Sequence, residues 1–278
     1  MTILLFSGLL LIFSLIAGLV GALTGLGGGV VIIPVLVLLF HVNIHYAMGA
    51  SLISVLATSS GTAAAYLREG YTNIRIGMFL ETGAVIGAFI GAVSIAFVSK
   101  TFLMTIFSLI LFFSAYLTIT RKEEQETYTS SHAWATALLL DGTYPLKKQL
   151  QSYRVQNVPA ALLIMSMAGF IAGLLGIGSG TLKVLAMDQA MRLPYKVATT
   201  TSNFMIGITA AVSAGVYFAH GYIYPPIAFP VMLGVIAGSF LGAKVLPKMH
   251  TRLLRILFST IICFIGLQML YNAYIGNF

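Results

Sequence analysis

Apolar residues fill most of the chain in long runs, and short polar stretches separate these runs at fairly regular intervals. A run of about 20 apolar residues is long enough to cross a lipid bilayer as an α-helix. This pattern predicts five helical pieces in the first part of the chain, at residues 3–23, 30–40, 46–67, 76–98 and 102–119. It predicts five more in the second part, at residues 160–174, 181–191, 195–218, 226–246 and 253–274. The expected fold class is therefore all-α, a polytopic helical membrane protein.

The second set of pieces repeats the first at a constant distance along the chain. The glycine-rich stretch GLGGG at residues 25–29 returns as GIGSG at residues 176–180, which is 151 residues later. The same distance relates further identical pairs, among them Gly18/Gly169, Ser51/Ser202, Tyr66/Tyr217, Gly70/Gly221, Gly87/Gly238, Gly91/Gly242 and Ser108/Ser259. Such a constant register indicates one duplicated unit. We therefore expect a first transmembrane repeat at 1–120, a cytoplasmic linker at 121–157 and a second transmembrane repeat at 158–278.

The second piece of each repeat is too short to cross a bilayer in the usual way. A helix of about 11 residues is about 16 Å long, roughly half of the hydrocarbon core. Each glycine-rich stretch therefore joins a longer helix to a half-length one, and we predict a discontinuous helix in each repeat. Whether these half-helices cross the membrane or re-enter it stays open at this point.

Composition agrees with a membrane protein. Hydrophobic residues make up 59% of the chain and charged residues only 8%, with a mean hydropathy of +0.98, whereas a soluble domain carries roughly 25% charged residues. The net charge of +8 comes from basic residues near predicted helix ends rather than from one patch. We therefore expect a multi-pass protein of the inner (plasma) membrane with the lipid bilayer as its surroundings and no nucleic-acid partner. A homodimer is compatible with the sequence, which leaves the oligomeric state open.

The basic residues also suggest how the two repeats are oriented. They cluster in different connections of the two repeats: Arg68 and Arg75 in the first; Arg192, Lys196, Lys244, Lys248, Arg252 and Arg255 in the second. If each repeat crosses the membrane an odd number of times, these clusters fall on one side, with Lys100 as the exception. The positive-inside rule then favours five plus five segments, inverted, with both termini outside.

The polar stretch between the repeats, residues 121–157, is interpreted as a solvated linker. An apolar segment within it, residues 134–140, is too short to span a membrane and is expected at the interface. A regulatory role for the linker is the alternative.

The glycine-rich stretches are the first candidates for a binding site. Breaking a helix in lipid leaves backbone N–H and C=O groups that each cost several kcal/mol unless they are paired. The half-helix after each break points its N-terminus, with free N–H groups and partial positive charge, at the break. Two such ends facing each other would form an anion site, for which the candidates are Gly27, Gly28, Gly29, Gly178, Ser179 and Gly180. The competing interpretation is that these glycines only allow close helix packing.

Polar side chains after the glycines could add to the same site. Ser51 in the first repeat corresponds to Ser202 in the second, where Thr201 and Asn203 flank it. Hydroxyl and amide groups can line a hydrated path and donate hydrogen bonds to an oxyanion. Alternatively, Ser and Thr bond to their own helix or hold neighbouring helices together.

Charged residues inside predicted membrane helices are functional candidates by default. Lys183 follows Gly180 in the second half-helix and could bind the anion, pair with Asp188 or extend to the membrane surface. Glu81 could couple transport to a proton, as could Asp188, or Glu81 could pair with Arg75. The sequence contains no metal-ligand spacing and no nucleophile–base or phosphate-binding motif, so we expect no metal, no cofactor and no enzymatic activity.

These features resemble the sulfite exporter TauE/SafE family. The matching stretches are residues 21–29 with Pro34, Ala50 to Leu52, residues 61–66, and in the second repeat residues 173–180 and 198–203. The resemblance implies secondary transport, often export, of sulfur-containing anions such as sulfite, thiosulfate or sulfonates. The sequence departs from it at Leu185 where the first repeat has Pro34, at Ser179 and at Lys183.

The function we expect is a secondary transporter, an exporter, of a small sulfur-containing anion (sulfite, thiosulfate or organosulfonate) bound between the two broken helices. Movement of one repeat against the other would alternate access to the site. One alternative is a cation-coupled transporter of another small solute, with broken-helix carbonyls and Glu81 holding the cation. Another is a membrane-integral enzyme that uses His41, His45 and Glu81.

Overall fold

The computed structural model describes residues 3–24, 28–68, 70–120, 131–146, 149–178, 180–245 and 251–275. In chain order the helices are α1 (Ile3–Thr24), α2 (Gly29–Pro34), α3 (Ile44–Arg68), α4 (Ile74–Ser94), α5 (Lys100–Thr120), α6 (Ala133–Ala137), α7 (Val158–Leu175), α8 (Gly180–Leu185), α9 (Tyr195–Ala219), α10 (Pro225–Val245) and α11 (Thr251–Ile275). Within the described residues, four helical segments are long and apolar enough to cross a membrane: Ile74–Phe97, Val158–Leu175, Lys196–Ala219 and Pro225–Gly242. The predicted all-α, polytopic helical class is confirmed.

The two half-helices have the same local structure. Both α2 and α8 continue into a π-helical turn, Val35–Leu39 after α2 and Ala186–Ala190 after α8. Each turn is followed by a non-glycine residue in the left-handed region, His41 with φ 53° and Arg192 with φ 56°. Positive φ is common just past the end of a helix because it lets later N–H groups bond to the last carbonyls. The bounds of α2 and α8, and those of α3 and α9, differ by the same 151 residues as the sequence repeat.

Helices of one repeat pack against helices of the other. The α1 helix lies on α10, α4 on α7, α3 on α9 and α5 on α11. Glycines allow the closest approaches: a Cβ added at Gly87 would overlap the Ser166 carbonyl oxygen, and one at Gly238 would overlap the carbonyl oxygen of Leu15. Small residues in one stripe let helix backbones come this close in a membrane. Near the start of α3, an added Cβ at Gly49 would overlap the Tyr222 carbonyl just past the end of α9. Further along α3, the Ser59 hydroxyl bonds to the Asn203 carbonyl in the first half of α9, so these two equivalent helices run antiparallel.

Several connections that carry basic residues lie at one end of the molecule. Asn73, which caps α4 by accepting a hydrogen bond from the Ile76 N–H (3.1 Å), donates its amide to the Leu140 carbonyl (3.0 Å) in the linker. The Lys196 ammonium nitrogen lies 5.7 Å from the ring centroid of Tyr71. The uncharged connections meet at the opposite end of α3 and α9, where the His45 and Tyr222 rings are 4.9 Å apart. The α10–α11 turn, residues 246–250, lies outside the described residues.

The described part of the linker contains regular structure that its sequence did not predict. After α6 it forms an antiparallel hairpin of β1 (Gly142–Leu146) and β2 (Gln149–Tyr153), with Gly142 opposite Tyr153. Tyr144 and Tyr153 are buried, with ring centroids 6.2 Å apart, and Tyr153 accepts a hydrogen bond from the Asn73 amide at 2.7 Å. Burial raises the pKa of the Tyr153 phenol, so the group stays protonated at neutral pH. The hairpin therefore closes one end of the helical bundle.

Candidate functional site

Ser51, in the second turn of α3, touches both glycine breaks. Its hydroxyl donates a 2.8 Å hydrogen bond to the carbonyl oxygen of Gly176, the residue that ends α7 with a positive φ of 64°. A Cβ added at Gly29, the first residue of α2, would overlap the same hydroxyl oxygen. Ser51 thus satisfies a carbonyl left free by the second break while it lies directly on the start of the first half-helix.

Val55, one turn further along α3, lies between the two breaks. A Cβ added at Gly29 would be 2.7 Å from the Val55 Cγ2 atom, and one at Gly178 would be 2.9 Å from its Cγ1 atom. Val55 is fully buried. The two breaks therefore meet at the Val55 side chain, which contacts one break through each of its methyl groups. Gly29 and Gly178 are 149 residues apart in the chain.

Polar groups surround this meeting point. On the side of the first break, a Cβ added at Gly28 would be 3.1 Å from the Ser54 hydroxyl oxygen and 3.4 Å from that of Thr58. On the side of α9, the Ser59 hydroxyl donates a 2.6 Å hydrogen bond to the Asn203 carbonyl oxygen. Among the described residues, neither the buried Ser54 hydroxyl nor the buried Asn203 side-chain nitrogen has a hydrogen-bond partner. Buried polar groups are usually paired, so these two are available to a ligand.

A buried ion pair lies beside the second break. The Lys183 ammonium, in the first turn after Gly180, is 2.9 Å from the Glu81 carboxylate of α4, and their side chains are 0% and 4% exposed. The Thr209 hydroxyl of α9 accepts a hydrogen bond from Lys183 and donates one to Glu81. The sequence had allowed Lys183 to extend to the membrane surface or to pair with Asp188, and Glu81 to pair with Arg75. The structure shows none of these arrangements, because Lys183 and Glu81 pair with each other. Arg75 instead donates to the Leu139 carbonyl at 3.3 Å.

The structure brings only some of the remaining candidates to the breaks. Ser202 donates a hydrogen bond to the Gly180 carbonyl oxygen at 3.2 Å, which holds the start of α8 against α9. The Thr201 hydroxyl accepts a hydrogen bond from the Asn73 N–H at 3.0 Å, so its contact is with the α3–α4 turn. Asp188 is half-buried in the π-helical turn after α8. Gly27 and Ser179 lie outside the described residues.

Sequence reasoning missed two features of this site. Val55 went unnoticed because a valine in an apolar helix carries no polar signal, although its counterpart Ile206 also lies on a glycine of a break. The Lys183–Glu81 pair could have been found, since two opposite charges inside membrane helices tend to pair with each other. The structure also separates the residues of the enzyme alternative: His45 contacts Asn43 and Tyr222, whereas Glu81 contacts Lys183 and Thr209.

Known proteins resemble this chain over almost its whole length. A relative from Bacillus subtilis (strain 168), described as "Probable membrane transporter protein YunE", is 29% identical over 95% of this chain and 97% of its own. A second from the same organism, "Probable membrane transporter protein YdhB", is 27% identical over 85% of this chain and 89% of its own. A similarly described protein of Methanocaldococcus jannaschii is 27% identical over 94% of both chains. No solved structure matches the chain.

The family comparison agrees with these relatives. The model of the family described as "Sulfite exporter TauE/SafE" matches residues 10–269. Both the family and the relatives are described as transporters, and the apolar helices make this a multi-pass membrane protein. The comparisons therefore support a membrane transporter. The chain belongs to the sulfite exporter TauE/SafE family.

Proposed function

We propose that this protein is a secondary transporter that binds a small sulfur-containing anion, such as sulfite, thiosulfate or an organosulfonate, between its two glycine breaks. The observation that carries the proposal is the meeting of both breaks at Ser51 and Val55. Backbone N–H groups at the start of a helix attract anions. The description of the family as sulfite exporters supports the choice of a sulfur oxyanion and of export as the direction.

Side-chain donors on α3 and α9, the two helices that contact the breaks, fit an oxyanion. Ser54 and Asn203 carry buried polar groups that have no partner among the described residues. Each could donate to an anion without first breaking an internal hydrogen bond. Ser51 and Ser202 already donate to Gly176 and Gly180, so they would have to exchange partners when the anion binds.

The arrangement of the helices supports alternating access by two inverted repeats. Equivalent helices α3 and α9 run antiparallel, and each repeat places its first helix on the fourth helix of the other. This is the contact pattern expected when a two-fold axis in the membrane plane relates the halves. Since the Ser51–Gly176 hydrogen bond joins one repeat to the other, a rocking movement between them would change the binding site directly.

A ligand-protection melt tests the proposed substrate class. Purified protein is heated with sulfite, thiosulfate, sulfoacetate or sulfate, and the unfolding midpoint is recorded. A ligand present at about 100 times its Kd stabilises the folded state by about 2.7 kcal/mol, which shifts the midpoint by roughly 5–10 °C for a chain of this size. Equal midpoints with every sulfur anion and with chloride would contradict the proposal.

Substitution of a glycine tests the location of the site. Gly178→Ala places a methyl group 2.5 Å from Ile206 Cγ2 and 2.9 Å from Val55 Cγ1, between the breaks. We expect a loss of flux of at least about tenfold in proteoliposomes. Stability should fall by about 1–3 kcal/mol, because both obstacles are methyl groups of stiff β-branched side chains rather than backbone atoms. Gly215→Ala is the matched control, since nothing lies within 4 Å of its added Cβ. Equal flux in the two variants would exclude this location.

A further inference from the structure

The ion pair of Lys183 and Glu81 breaks the correspondence between the two repeats. The residues that occupy the equivalent positions of the other repeat are Ile32 for Lys183, Met232 for Glu81 and Thr58 for Thr209. The hydroxyl residue recurs, whereas both charges are replaced by apolar side chains. Ile32 is itself buried, like Lys183. The first repeat thus builds the same part of the fold without charges.

The fold therefore gives no reason for the charges to be there. Replacing a buried ion pair by apolar residues of similar size is often neutral or stabilising, whereas removing one partner alone is strongly destabilising. A pair that only one repeat contains, next to a break in a membrane helix, is better explained by function.

The surrounding elements bring no third charge into contact with the pair among the described residues. The α7 helix contains no charged residue. In the other elements packed around the pair, the remaining charged residues are Arg75 and Lys196, in the first turns of α4 and α9, and Asp188 after α8. Arg75 and Lys196 contact the linker end, through Leu139 and Tyr71. Within the part of the chain that the structure describes, Lys183 and Glu81 are consequently each other's only counter-ion.

We propose that the transported anion takes the place of the Glu81 carboxylate as the counter-ion of Lys183, and that Glu81 accepts a proton when this happens. The inference rests on the proposed function, because it uses the same anion and the same break. With the anion bound, an ionised Glu81 would be a second negative charge without a partner in a buried place. A proton from water binds the carboxylate, and the neutral acid keeps its hydrogen bond with Thr209. The loaded protein then carries one proton together with the anion.

This mechanism makes the protein a proton–anion symporter, so the proton and anion gradients together set the direction of transport. Anion and proton cross the membrane together, so the anion moves until its own gradient balances that of the proton. A proton gradient directed into the cell would favour uptake, and export would require an opposing anion gradient that is larger. Empty protein returns with Lys183 and Glu81 paired, as in the structure.

The test is accumulation of radiolabelled thiosulfate in proteoliposomes with the membrane potential clamped at zero. Thiosulfate keeps its charge over the neutral pH range, so its own ionisation does not move protons. If one proton accompanies each anion, a difference of about one pH unit should hold thiosulfate at an about tenfold higher concentration on the alkaline side. Glu81→Gln, which keeps a neutral hydrogen-bonding group beside Thr209, should move thiosulfate to a concentration ratio near one.

The double variant Glu81→Met with Lys183→Ile is the control for folding, since it copies Met232 and Ile32 of the other repeat. It should keep the unfolding midpoint of the natural protein, and it should lose pH-driven accumulation. Lys183→Ile alone should lower the midpoint because it leaves Glu81 unpaired. A double variant that unfolds much earlier than the natural protein would mean that the pair serves the fold, and it would overturn the proposal.

The outcomes separate this inference from the proposed function. If the natural protein moves none of the sulfur anions, the proposed function fails. If it moves them but shows no pH-driven accumulation, only the proton coupling is overturned. The same conclusion follows if Glu81→Gln retains the tenfold accumulation of the natural protein. If sulfite is carried but thiosulfate is not, sulfite replaces it, and the comparison with Glu81→Gln still isolates Glu81 because sulfite ionises identically in both experiments.

Discussion

Asn203 carries a buried polar side chain that costs the fold stability, and we propose that it has a use in substrate binding. Its side-chain nitrogen is buried and has no hydrogen-bond partner among the described residues. Leaving such a donor unpaired costs about 1–3 kcal/mol. The equivalent residue of the first repeat is Leu52, which is also buried, so an apolar side chain fits an equivalent place. We attribute the amide to substrate binding.

Asn203→Leu should therefore change stability and affinity in opposite directions. We expect the free energy of unfolding to rise by about 1 kcal/mol, because the unpaired donor is removed, and the Kd for the transported anion to rise about tenfold, because a donor to it is lost. Denaturant unfolding and the ligand-protection melt measure the two effects. Thr200→Val is the control, since that hydroxyl bonds back to its own helix at Lys196. A variant with unchanged affinity would remove Asn203 from the site.

At the scale of elements, glycines determine how closely the helices approach. In the α4–α7 contact an added Cβ at Gly87 or Gly91 would overlap a carbonyl oxygen of α7, and one at Gly169 or Gly173 would overlap a carbonyl of α4. In each case the obstacle is backbone rather than the end of a side chain. These contacts support the packing role of glycine that the sequence left open, but they involve other glycines than those of the breaks.

Gly87→Ala should destabilise the protein by about 2 kcal/mol, because α4 and α7 must separate to admit the methyl group. Gly8→Ala is the matched control in α1, where nothing lies within 4 Å of an added Cβ. That substitution should instead stabilise by about 0.5–1 kcal/mol, since alanine favours the helix over glycine. Equilibrium unfolding in detergent compares them, and equal effects of the two would mean that the α4–α7 contact is looser than described.

At the scale of the whole molecule, the two ends differ in charge and in structure. The linker hairpin, the α3–α4 turn and the α8–α9 connection meet at the end where Arg75 and Lys196 lie. The other end joins His45 to Tyr222. From the positive-inside rule we propose that the hairpin end faces the cytoplasm, the orientation that the sequence predicts.

Thiol labelling of intact cells tests this orientation. In a background in which Cys263 is replaced by Ser, Asn43→Cys should react with a membrane-impermeant maleimide, because Asn43 is exposed at the end opposite the hairpin. Thr143→Cys, in the hairpin, should react only after the membrane is permeabilised. Labelling of Thr143→Cys in intact cells would reverse the assignment, and labelling of both positions would rule out a fixed orientation.

The sequence by itself determined the helices of this protein and their repeat. The length of each apolar run and the glycines and prolines that interrupt it are local, so the half-helices at Gly29 and Gly180 were predicted to within a residue or two. The linker hairpin was missed because two strands of five residues are too short for their pattern to be distinguished from a loop. The family resemblance rested on the same local motifs and was confirmed.

Only the tertiary structure decided which residues meet. Ser51 bonds to Gly176 in the other repeat, and Lys183 pairs with Glu81, which is 102 residues away in the chain. The sequence was compatible with other partners for both charged residues: Asp188 for Lys183, and Arg75 for Glu81. The choice depends on how α4, α8 and α9 pack, and that packing is the sum of many weak contacts, none of which leaves a local signal in the sequence.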